Sequence, residues 1–191
     1  MSYSNDLAEF APSASAGAII QVNSYTFTTS IDISSVDADA YYWITNTLKG
    51  GSTDYVTFDN AIKSGNKCLL HFSATCSSED ISIDYCRFYI REGTATTNGH
   101  DTGGNVSGQP THGLANMISS YTAASQYGEN NQISFQHMWA PSTTTPNISI
   151  VVNARSYDGS TSGIIYIGKS GYNHSLTDVT GYQITIMEIA A

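Results

Sequence analysis

The chain has 191 residues, enough for one well-buried domain and short for two ordinary ones. Its formal charge of −9, seven Lys plus Arg against sixteen Asp plus Glu with no basic run, argues against nucleic-acid phosphates and anionic membrane surfaces as partners. Charged residues make up only 12%, while Ser, Thr, Asn, Gly and Tyr abound, the balance of a turn-rich all-β shell rather than a helical enzyme.

Residues 1–17 are small and polar, with isolated apolar side chains at Leu7 and Phe10. They cannot build a core, so they read as an extended attachment arm held by the domain or by a partner, with Leu7 and Phe10 as contacts. No basic segment leads into an apolar core here, and no stretch approaches the roughly 18 apolar residues that span a bilayer. The expectation is neither a signal peptide nor a membrane anchor.

Residues 18–191 read as a single β-domain. Ala18 to Val22 begins a strand, and Tyr25 to Thr28 continues it beyond a break. Tyr41 to Thr47 and Tyr55 to Phe58 follow. Asn66 to Cys76 alternates most clearly, with Cys68, Leu70, Phe72 and Ala74 on one face and Leu69, His71, Ser73 and Thr75 on the other, as in a half-buried antiparallel strand. Between Ile81 and Ile90 the apolar phase changes, from Ile81, Ile83 and Tyr85 to Cys86, Phe88 and Ile90. A β-bulge near Tyr85 and Cys86 absorbs the extra residue.

Glu92 to Gly113 is rich in Gly, Thr, Asn and His and reads as an exposed excursion. Leu114 to Tyr121 fits a short helix or another strand. Later strands are expected at Gln132 to Trp139, Asn147 to Ala154, Gly163 to Gly168 and Tyr182 to Ile189. Roughly eight to ten strands without a long helix make an antiparallel β-sandwich, most simply a jelly roll. In the last strand Ile184 and Ile186 lie on one face and Met187 and Ile189 on the other, so it reads as buried on both sides, at a central position or a subunit interface.

Gly163, Gly168, Lys169 and Ser170 formally match the phosphate-loop pattern. The intervening Ile164, Ile165, Tyr166 and Ile167 are β-formers, and no helical periodicity follows, so the segment reads as strand and turn. Cys68, Cys76 and Cys86 are odd in number and lack C-x-x-C spacing, which points to buried free thiols in a chain made in a reducing cytoplasm.

Other chemistry is thinly represented. His100 and Asp101, with His112 nearby, read as a solvated loop rather than a metal or acid-base site, with His100 and His112 as partner-contact candidates. Asp32, Asp37, Asp39, Asp54 and Asp59 read as an acidic edge, because their spacing does not match a calcium loop. Glu9, Glu79, Glu92, Glu129 and Glu188 are scattered and nominate no glycosidase pair. His137 alternates with Ile133, Phe135 and Trp139 and reads as a hydrogen-bonded core or interface histidine. Packing accounts for most of the thirteen tyrosines, with glycan contact by a subset as the other reading. No cofactor, metal or catalytic group is expected.

Five phrases carry a resemblance: Gly17-Ala-Ile-Ile-Gln-Val22; Cys86-Arg-Phe-Tyr-Ile-Arg-Glu-Gly93; the run Met138-Trp-Ala-Pro-Ser-Thr-Thr-Thr-Pro-Asn-Ile-Ser-Ile-Val-Val152; Ile164-Ile-Tyr-Ile-Gly168; and Ile184-Thr-Ile-Met-Glu-Ile-Ala190. Residues 17–191 resemble a small virion protein type common in tailed phages, especially marine ones. The resemblance implies a jelly-roll domain similar to trimeric heads of the tumour-necrosis-factor type. This chain departs from the pattern at Ile31 to Asn60 and Glu92 to Gly113.

The resulting expectation is a non-enzymatic homotrimer that decorates the capsid exterior, its arm lying on major capsid or other virion proteins. Met187 and Ile189 join Leu7, Phe10, His100 and His112 as expected contacts. A receptor-binding knob of a tail or head fibre, recognising a host surface glycan, is the alternative; an enzyme acting on polysaccharide is a third.

Overall fold

The computed structural model describes residues 15–34, 40–43, 55–79, 83–92, 105–119, 130–156, 164–170 and 179–191. Ten strands and no helix occur among them: β1 (Ile19–Phe27), β2 (Ile31–Ser34), β3 (Ala40–Trp43), β4 (Lys67–Glu79), β5 (Ile83–Glu92), β6 (Ala115–Ser119), β7 (Asn131–Trp139), β8 (Ile148–Ser156), β9 (Ile164–Ile167) and β10 (Tyr182–Ile189). All pairings are antiparallel, and the strands form two sheets that pack as a β-sandwich.

The thirteen-residue β4 is the spine of the first sheet. β7 pairs with one edge of it, from Cys68 to Cys76. Its other edge takes β10 over Lys67 to Ala74 and then β9 over Cys76 to Glu79, end to end. β1 lies outside β10 and β2 outside β9, so β1/β2 and β10/β9 are two long, broken strands. The second sheet runs β3-β8-β5-β6. Counting each broken strand once leaves eight positions in two four-strand layers, compatible with a jelly roll.

The break between β9 and β10 depends on glycine. Gly168 donates to Thr75 O at 2.7 Å, and Gly181 donates to Gly168 O at 2.9 Å. Gly181 has φ +70° and presses so close that a Cβ would sit 2.0 Å from Phe27 O. Only glycine lets the outer strand bend past the inner one there.

One contiguous core fills the space between the sheets. Cys68, Leu70, Phe72, Ala74 and Cys76 of β4 point into it, with Ile184 and Ile186 of β10 and Ile133, Phe135 and Trp139 of β7. Phe88, Ile90, Ile150 and Val152 face them from the second sheet, and Phe72 touches Phe135 at 5.2 Å and Phe88 at 5.7 Å between ring centroids. Each buried Leu, Ile, Val or Phe among them contributes roughly 1.5–3 kcal/mol on burial.

The alternation expected for β4 is the observed one. The phase change in β5 is a register shift between Ile83 and Cys86, and Ile83, Tyr85, Cys86, Phe88 and Ile90 are all buried. Cys68, Cys76 and Cys86 are buried free thiols.

Several expectations need correction. β1 is continuous across Asn23 and Ser24, which look like turn formers but pair with Ile186 and Thr185; the irregularity lies at Ile19/Gln21. Tyr55 to Phe58 supplies only an isolated bridge, Val56 to Ile148. β2 lies within a region whose aspartates masked its short Ile31/Ile33 alternation. Of the two alternatives for Leu114 to Tyr121, the strand is the one observed, as β6.

The part of the Glu92 to Gly113 stretch described beyond Glu92, residues 105–113, is largely exposed as expected, at Asn105, Ser107, Gly108, Pro110, Thr111 and His112, but it is anchored to β5. Val106 is buried and Asn105 bridges Arg91. The Gln109 side-chain amide accepts from Ile90 N at 2.7 Å and donates to Ile90 O at 2.6 Å. A primary amide carries the same donor and acceptor as a peptide, so Gln109 stands in for a missing β6 residue.

Candidate functional site

The two sheets differ on their outer faces. On the second sheet Tyr89, Arg91, Ser149, Val151 and Asn153 point away from the core, yet all are buried. Tyr89 donates to Thr111 O at 3.0 Å and Arg91 Nε to Asn105 Oδ1 at 2.9 Å. The outer face of the first sheet stays open over β1, β10, β4 and β7, and among the described residues three of the four exposed large apolar side chains lie on it: Ile19 at 54%, Val22 at 39% and Met138 at 48%.

Register makes this face an ordered surface. Val22 pairs with Met187, Met187 with Leu69, and Leu69 with Met138, so one apolar row crosses β1, β10, β4 and β7. Paired positions in antiparallel strands share a face, with Cβ atoms about 5 Å apart. Ile19 and Ile189 extend the patch at one end. The next row is Ser24, Thr185, His71 and Gln136, and beyond it lies Thr26, Gln183, Ser73 and Ser134.

None of the sixteen acidic residues lies on these rows. Lys67, at the margin opposite Ile189, is the one charged side chain there, and His71 sits in the middle row on an inner strand. His71 Nε2 lies 3.2 Å from Ser134 Oγ, and Ser24 and Thr185 share a hydrogen bond of 3.2 Å. A neutral face with an apolar row, on a chain of charge −9, has the depletion of charge seen at interface cores.

Behind one end of this face is a buried carboxylate. Glu188 is 1% exposed and accepts from Gln21 Nε2 at 2.7 Å, Lys63 N at 2.8 Å and Asn66 Nδ2 at 2.6 Å. Gln21 Nε2 also donates to Asn60 O at 3.2 Å. Ala191 N donates to Asn66 Oδ1, while Gly17 N reaches Ala190 O and Ala190 N reaches Ala18 O. The node thus ties β1, β10, the segment before β4 and the C-terminus together, where the polypeptide enters β1.

Met187 and Ile189 stand on the open face but are half-buried, so β10 is central without being buried on both sides. The inward partner of those two is Glu188, which interrupts the isoleucine pattern. His112 is exposed on the β5–β6 connection, part of the other sheet. Leu7, Phe10, His100 and Asp101 lie outside the described residues.

His137 is half-buried, stacked on Trp139 and bonded through Nε2 to Ser107 O at 2.9 Å. Trp139 donates to Glu92, whose other oxygen accepts from Ser142. Lys169 Nζ lies 4.0 Å from the Tyr166 ring centroid and 3.9 Å from Asp32. Ile164 to Ile167 is strand β9, extended rather than curled round an anion, and this lysine follows that strand. Among the described residues no group of three or more His, Cys, Asp and Glu side chains is placed to hold a metal.

Ile19, Val22, Leu69, Met138 and His71 were missed as site residues by sequence reasoning. Alternation marks Leu69 and His71 as outward, but only pairing register aligns four strands into one row. No protein-family model matches the chain, and no curated protein matches it.

Proposed function

We propose that this chain is a non-enzymatic virion structural protein. It assembles as a homotrimer through the open face of the β1-β10-β4-β7 layer and decorates the capsid exterior. The observation that carries this reading is the Val22–Met187–Leu69–Met138 row on a face whose paired rows hold no carboxylate. Copies of a chain of charge −9 repel one another, and they repel least where no carboxylate is presented.

Four strands about 4.8 Å apart and about nine residues long span on the order of 600 Å². A standard interface takes roughly 800 Å² per partner, so this face supplies most of one. The phage resemblance and a strand order compatible with a jelly roll support the virion setting. Gly17 N bonds to Ala190 O, so the polypeptide enters β1 at the margin of this face, where an attachment arm is well placed. Trp139, Tyr166 and Tyr182 are buried, which removes three aromatics from a glycan surface and favours decoration over the receptor-binding knob.

Sedimentation of the full chain tests assembly: the expected mass is three times that of the 20.5 kDa chain, falling to one with Leu69→Glu. A monomer at tens of micromolar overturns the trimer. Deleting residues 1–16 and finding unchanged occupancy on particles overturns the arm's role.

A further inference from the structure

We infer that His71 makes self-association through the open face dependent on pH, with assembly favoured above the range in which the imidazole gains its proton and weakened below it. The inference rests on the reading that this face meets other copies of the chain.

His71 occupies the middle row on an inner strand, next to Leu69 of the apolar row, with Thr185 and Gln136 beside it. Any contact that buries the row therefore takes His71 from water with it. Its neighbours supply no countercharge. β1, β10 and β7 present no ionisable side chain on these rows; on β4, Lys67 lies four positions before His71 with the same sign as an imidazolium, and Glu79 lies eight positions beyond it, beside β9 and outside the rows. Ser134 Oγ, 3.2 Å from Nε2, is a neutral partner that serves the uncharged ring as donor or acceptor.

Histidine changes charge between about pH 5 and 8. Burial without a carboxylate disfavours the charged form, and a rotation axis that gathers copies of one face also gathers like charges. Both effects have the same sign. The assembled state holds fewer protons than the free chains, so lowering the pH drives dissociation by linkage.

The test is sedimentation of the full chain from pH 8 to pH 5, with far-UV circular dichroism confirming the fold at each pH. The expected result is at least a tenfold rise in the dissociation constant at pH 5, abolished in His71→Gln and retained in His112→Gln, whose position is on the β5–β6 connection. Wild-type assembly that is indifferent to pH, or an acid response that survives in His71→Gln, overturns the inference and leaves the assembly reading standing. A wild-type monomer at every pH overturns that reading as well.

Discussion

Gln21 and Glu188 are 167 positions apart in the chain, and the amide of the first donates to the carboxylate of the second at 2.7 Å in the interior of the sandwich. Both sit on core-facing positions of paired strands, with Gln21 opposite Glu188. The carboxylate is tolerated because three N–H groups converge on it, and charge-assisted bonds of this kind are the stronger ones.

Replacing Glu188 with Gln keeps the shape but places an amide where donors converge, so at least one N–H loses its acceptor. The expected loss is about 1–3 kcal/mol. Glu188→Ala is expected to lose more, because it strands all three donors and leaves a cavity. Urea unfolding of both variants at pH 7 measures this; an unchanged midpoint for Glu188→Gln would show that the node is not holding the chain ends.

Gly181 and Gly65 separate steric clash from backbone strain. Both have positive φ, +70° and +92°, but a Cβ at Gly65 meets nothing within 4 Å, while one at Gly181 would lie 2.0 Å from Phe27 O. Gly65→Ala is expected to cost about 1–2 kcal/mol, the left-handed penalty alone. Gly181→Ala is expected to cost more than about 4 kcal/mol or to prevent folding, since backbone must move. Thermal unfolding of the two variants decides the matter.

The three thiols give an alkaline signature. Burial pushes Cys68 and Cys76 up to about 12 and raises Cys86 well above its ordinary value, with nearby Glu92 and Glu188 adding to the rise at Cys68. In the unfolded chain these groups ionise near pH 8.5–9, so above that range the folded state binds more protons. Their contribution is complete below about pH 8.5 and is lost as pH rises toward 12, by up to about 1.4 kcal/mol per thiol per pH unit. The native chain at pH 8 is expected to resist thiol-alkylating reagents and to react once unfolded. Prompt labelling of the native protein contradicts this.

Gln109→Leu removes the amide that completes the edge of β5. Ile90 N loses its acceptor, while Ile90 O keeps the Val106 N–H at 3.2 Å. One orphaned buried donor costs about 1–3 kcal/mol. Gln109→Glu keeps an acceptor for Ile90 N but turns a carboxylate oxygen on Ile90 O and Val106 O, which Gln109 Nε2 now serves. Amide hydrogen exchange at Ile90 is expected to accelerate in both variants, and an unchanged rate would remove the peptide-mimic role.

Local pattern carried the β-class, most strand positions, the bulge in β5 and the buried thiols, because alternation and β-branched runs report burial through nearest neighbours. β4 and β10 were legible almost residue by residue. Gln21 and Glu188 were not, since a polar residue in an alternating strand reads as outward or accidental until its distant partners are known. Likewise Gln109 reads as loop sequence until Ile90 is placed beside it.

The candidate face divides the same way. That Leu69 and His71 point opposite to Leu70 and Phe72 follows from a period of two, and composition alone makes the chain acidic and turn-rich. That Val22, Met187, Leu69 and Met138 form one row depends on the registers of three strand pairs, and a one-residue slip in any of them would break it. Pairing between residues as far apart as Leu69 and Met138 or Val22 and Met187 is set by the closing of the two sheets on a shared core, and it is this global packing that covers the outer face of the second sheet and leaves that of β1, β10, β4 and β7 open.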